Sequence, residues 1–197
     1  MIRFVRGAAL LAALALTVPM ADSAHATTAV YLSEVEHALE SDAVILATVG
    51  EQRVDRDPAT GRLFTHTAVH LQKSLYGDAP VDFEVHQMGG RLGDEILRLP
   101  GDATLIPGEA VCLFVRQVDG FWYLTALQQS KYSVIPSLDG TLLERDLDEG
   151  LFHRSKVGPM RPFVDDSEGS PMTLARLAII LEEVAPVPAP AANGGEQ

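Results

Sequence analysis

The sequence predicts a mainly β protein: one small antiparallel barrel or strongly bent sheet, with an N-terminal and a C-terminal helix. Three observations predict it. Between Ala43 and Arg145, apolar segments rich in β-branched residues, or alternating apolar with polar, follow one another. Short turns join most of them, among them Asp57-Pro58-Ala59-Thr60-Gly61 and Asp119-Gly120. Helical spacing appears only before and after this run. Strands linked by hairpins close most readily into a small barrel.

The elements follow in order. Tyr31, Leu32, Val35, Ala38 and Leu39 are spaced as one face of a helix over 31–40. AVILATVGEQRV, from Ala43 to Val54, reads as a buried strand, and Arg62 to Leu71 as its hairpin partner. YGDAP is a loop. Val81, Phe83 and Val85 then alternate with Asp82, Glu84 and His86, as in a half-buried strand with one wet face. Gly89-Gly90 ends it, and residues 91–109 hold at most one short strand near Ile96 to Leu99. Ala110 to Val118 and Phe121 to Leu127 form a hairpin across Asp119-Gly120. Tyr132 to Ile135 and Thr141 to Arg145 extend the sheet. Residues 146–169 are acidic, broken by Gly and Pro, and read as a loop. Ser170-Pro171 has the form of an N-cap and first helical residue. Leu174, Leu177, Ala178, Leu181 and Val184 then mark the apolar face of a helix over 171–184.

The first 26 residues read as a leader. Arg3 and Arg6 precede an apolar run from Gly7 to Val18, and Ala24-His25-Ala26 is a small-x-small cleavage signal. The run is shorter than the roughly 20 residues that span a bilayer. Cleavage after Ala26 predicts a secreted or periplasmic protein of 171 residues starting at Thr27. The expected organisation is a signal peptide at 1–26, one barrel domain with its helices at 27–185, and a disordered tail at 186–197. The mature chain carries 13 Lys and Arg against 26 Asp and Glu. That balance disfavours nucleic acid and anionic membranes as partners. Cys112 is the single cysteine, so no internal disulfide exists. Within AVCLFV it reads as a small buried apolar residue.

Few residues carry a chemical signal. His66 and His70 in LFTHTAVH would share a face of a helix, but Thr65, Thr67 and Val69 between and around them favour a strand. On a strand the two lie roughly 13 Å apart, too far to share one zinc ion bound at about 2.0–2.1 Å. Only a histidine on a neighbouring strand, such as His86, could complete a site with one of them. Otherwise all three read as solvent-facing. Gly89-Gly90-Arg91-Leu92-Gly93 lacks the GK[ST] and following helix of a phosphate loop. No GxSxG is present, and Ser74 and Ser130 lie in ordinary turn or strand contexts. Asp94-Glu95, Asp146 to Glu149 and Asp165-Asp166 read as solvated loops, and Asp146, Asp148 and Glu149 lack the Gly and the spacing of a calcium loop. Trp122, between Phe121 and Tyr123, is a core or edge aromatic whose strand turns one face outward. These residues therefore name no catalytic, cofactor-binding or metal-ligating set.

SDAVILATV, FEVHQMGG, PGEAVCLFV and DGFWYLTALQQSKYSV, in that order, resemble a group of secreted bacterial proteins of unassigned function. The likeness covers residues 31–135. It implies an OB-like barrel, similar to the N-terminal domain of tissue metalloproteinase inhibitors. Those inhibitors use an N-terminal cysteine and several disulfides, where this chain has Thr27 and a lone Cys112. The leading expectation is a non-enzymatic exported barrel that binds an unidentified envelope partner or ligand. The alternatives are a metal-dependent hydrolase built on His66, His70 and His86, and a protease inhibitor with a bait loop.

Overall fold

The computed structural model describes residues 29–138, 140–145, 147, 151–153, 161–162 and 172–184. The expected leader, the Ser170-Pro171 cap and the C-terminal tail lie outside these residues. Among the described residues are twelve strands and two α-helices: β1 (Ala29–Tyr31), α1 (Glu34–Leu39), β2 (Ala43–Arg56), β3 (Leu63–Gly77), β4 (Asp82–Met88), β5 (Gly90–Leu92), β6 (Glu95–Leu97), β7 (Ala110–Val118), β8 (Phe121–Leu124), β9 (Lys131–Ser137), β10 (Gly140–Glu144), β11 (Leu151–His153), β12 (Arg161–Pro162) and α2 (Leu174–Val184). The fold is mainly β, with a helix near each end.

Five strands form a ring. β2 pairs antiparallel with β3, β3 with β4, β8 with β7, and β7 with β2. The remaining seam joins β4 and β8 in parallel through one register pair, Val85 with Trp122. The pairings thus close five strands of one mixed sheet into a ring. β9 and β10 extend the sheet from the first half of β7.

The continuous apolarity of AVILATV and AVCLFV follows from burial on two faces. Ala43, Ile45, Ala47 and Val49 of β2 and Val111, Leu113 and Val115 of β7 point into the barrel, with Val69, Val85, Trp122 and Leu124. Val44, Cys112 and Phe114 point the other way, into a second core with Ala38 of α1, Tyr132, Leu143, and Leu177 and Leu181 of α2. The helices thus cover the outer face of β2, β7, β9 and β10 rather than plugging the barrel. Cys112 is fully buried there. Burial pushes its thiol up to about 12, so it supplies no thiolate nucleophile at neutral pH. Cys112→Ser is expected to cost about 1–3 kcal/mol, since a hydroxyl enters an apolar site without a partner. Urea unfolding reads this, and an unchanged midpoint would contradict the packing.

The differences from the sequence reading have local causes. α1 starts at Glu34 rather than Tyr31, because Ser33 caps it: the Ser33 side chain accepts from the Glu36 N–H and the Glu36 carboxylate accepts from the Ser33 N–H. β3 runs on to Gly77, past Leu71, by pairing back to the start of β2. Gly77 sits at φ +60°, where a Cβ would strike the Asp42 carbonyl oxygen. Three register shifts curl the β2–β3 hairpin around the barrel. β4 starts one residue later than its alternation suggests and leaves Val81 exposed. The segment after Gly89-Gly90 folds as a hairpin, β5–β6, turning at Gly93-Asp94 instead of holding one strand. β8 stops at Leu124, where the chain turns into a 3-10 helix, Leu127–Ser130. Within the expected loop 146–169 lie β11 and β12; β11 pairs in parallel with β1, a contact between segments far apart in sequence that no local pattern reveals. Thr173 caps α2, its hydroxyl accepting from the Arg176 N–H.

Candidate functional site

Two features stand out, one at the barrel mouth and one on its outer wall. The first is a cleft of about 750 Å³ between the ends of β2, β3 and β4 and the segment from β5 to Leu105. A ligand-binding pocket is typically of about 300–1,000 Å³. Inward-facing glutamines build its floor. Gln52 donates to the Thr67 hydroxyl at 3.0 Å and to the Leu105 carbonyl at 2.9 Å. Gln87 donates to Asp102 at 3.0 Å and to the Ala103 carbonyl at 2.8 Å. These bonds tie the 102–105 stretch across the mouth while Leu105 enters the barrel core. Burial raises the Asp102 carboxyl above the usual carboxylate range, against the bonds from Gln87 and the Ala103 N–H. Ile96, Leu97 and Leu99 give the cleft an apolar wall, and Arg91 and Arg98 lie on its lining. The sequence pointed to none of this, because Gln87 and Asp102 meet only through the fold.

The second feature answers the histidine question. His66 on β3 and His86 on β4 are direct cross-strand partners. Their rings meet edge to face, with centroids 4.4 Å apart. Glu84, two residues before His86 and on the same face, completes a cluster. His66 Nδ1 and His86 Nε2 each stand 4.0 Å from Glu84 Oε2. His66 Nε2 stands 3.9 Å from Asp55 Oδ2. Arg53 donates to both Glu84 oxygens, at 3.3 and 2.8 Å, and pairs with Asp55. That pairing holds Glu84 below the usual carboxylate range. His86 is held below its ordinary value, first by burial and then by the neighbouring His66.

The expected solvent-facing histidines are therefore corrected for two of the three. The side chains of His66 and His86 are only 15% and 12% exposed. Phe121 and Tyr123, turned outward from β8, cover His86 at ring distances of 4.8 and 5.9 Å. His70 alone faces water and donates to Asp82 at 2.7 Å. The geometry thus brings His66 and His86 together and leaves His70 out. Trp122 belongs to the barrel core, while Phe121 is half exposed.

Sequence reasoning also missed a serine–histidine contact. His37 Nε2 bonds Ser130 Oγ at 3.0 Å, across 93 positions of chain. The Ser130 oxygen also accepts from the Ala126 N–H. Both residues are fully buried, so the pair fastens α1 to the 3-10 turn and presents no nucleophile to solvent. Ser74 donates to the Gly77 carbonyl at 2.6 Å. Comparison with family models, curated proteins and solved structures returns no match to this chain.

Proposed function

We propose that the protein is an exported, non-enzymatic β-barrel module that binds a partner or ligand in the cell envelope or outside the cell, with the barrel-mouth cleft as its seat. The cleft carries this reading. It is of ligand size, it has an apolar wall of Ile96, Leu97 and Leu99, and Arg91 and Arg98 stand on its lining in a chain whose formal balance is −12. That combination suits an amphipathic group bearing negative charge. The basic start, apolar run and Ala24-His25-Ala26 motif support export; an intact mass beginning at Thr27 in the extracytoplasmic fraction is expected, and one retaining Met1 would contradict it.

Capture from envelope extract tests the binding site. The wild-type protein is expected to retain a discrete partner that Leu97→Asp combined with Arg98→Glu no longer holds. Leu138→Asp, a change at a fully exposed side chain that does not line the cleft, is expected to retain it. Equal capture by all three proteins would remove the cleft from the account.

A further inference from the structure

We propose that His66, Glu84 and His86 form a binding site for a divalent transition-metal ion of the zinc class on the outer wall of the barrel. The donors come from two paired strands, so the sheet ladder fixes their separation. One nitrogen of each ring and one carboxylate oxygen lie within 4.8 Å of one another. Donors around a tetrahedral zinc, bonded at about 2.0–2.2 Å, sit roughly 3.4 Å apart. Small side-chain rotations bring the 4.0 Å separations at Glu84 Oε2 to that spacing.

Two further observations point to a ligand. His66 Nδ1 is buried and has no hydrogen-bond partner among the described residues, although it faces Glu84. The other nitrogen of the same ring stands 3.9 Å from Asp55 Oδ2, beyond hydrogen-bond distance but within reach of a small ring rotation. A ring that ligates through one nitrogen and gives the other N–H to a carboxylate is the usual outer-shell arrangement of a metal-bound histidine. Arg53 now shares its guanidinium between Glu84 and Asp55. On metal binding it keeps Asp55 and cedes a lone pair of Glu84 Oε2. Two imidazoles and one carboxylate suit zinc, copper or nickel better than calcium or magnesium, which demand more oxygen donors. Three protein donors leave a fourth position for water or for a group from a partner. This site lies outside the barrel and does not depend on the cleft.

Calorimetric titration of the purified protein with zinc chloride tests it. One-to-one binding is expected. His66→Ala and His86→Ala should each weaken it more than about 100-fold, and Asp55→Ala by about 10- to 100-fold, the cost of losing an outer-shell partner. His70→Ala should bind as the wild type does. The wild-type protein also supplies a readout that needs no variant: zinc should shift the imidazole nitrogen resonances of His66 and His86 and leave those of His70 in place. Absence of one-to-one binding, binding undiminished in His66→Ala, or shifts confined to other histidines would overturn the proposal. Loss of partner capture by the cleft variant bears on none of these readings, so the two sites fail separately.

Discussion

Phe114→Ala is expected to lower the unfolding free energy by about 3–5 kcal/mol. Phe114 is the largest of the fully buried side chains among the described residues. It lies on the outer face of β7, where the barrel wall meets the helical layer. One ring face stacks on His37 at 4.3 Å and 18°, and Tyr132 packs on it at 5.9 Å. Truncation removes the contact that joins α1, β7 and β9 and leaves a cavity that the rigid β2–β7–β9 ladder cannot collapse to fill. Urea unfolding measures the cost. A loss under about 1 kcal/mol would mean that the helices do not pack on this face.

The second large effect is acid lability from His37. Burial, and then the positive Arg145 nearby, lowers its imidazole from 6.5 to about 3. Below pH 6.5 the unfolded chain takes a proton on this ring and the native protein does not. Stability from this group is therefore full above pH 6.5 and is lost as pH falls from 6.5 toward 3, at about 1.4 kcal/mol per pH unit. His37→Leu removes the titration. Its stability at neutral pH is expected to be lower, because Ser130 loses one of its two partners, but its slope between pH 6.5 and 4 should be flatter by about one proton. Chemical unfolding at four or five pH values reads the slope directly. Parallel curves for the two proteins would contradict the buried, neutral imidazole.

Much of the fold was legible in local pattern. AVCLFV bounded by Pro107-Gly108 and Asp119-Gly120 marked β7 to the residue, and the spacing of Leu177 and Leu181 marked the buried side of α2. Hairpins are local, so turn chemistry exposes them. What stayed hidden was non-local: the parallel seam at Val85 and Trp122, and the pairing of β1 with β11. The same division holds at the sites. Strand periodicity separated His66 from His70 correctly, since distance along one strand is fixed by the chain. It called His66 and His86 wet because alternation tells which face a residue takes and not what lies over that face; Phe121 and Arg53 arrive from other strands. Glu84 was overlooked for the same reason. Its place beside His86 was readable as i and i+2 on one strand, but the register that sets both against His66 was not.

Site-specific photo-crosslinking tests the binding account most directly. A photoreactive side chain is placed at Leu97, on the cleft wall, and separately at Leu138, fully exposed and away from it. Each protein is irradiated in the intact cell envelope. The account predicts one discrete adduct from position 97 and none from position 138. A discrete adduct from position 138 alone, or no difference between the two, would contradict it.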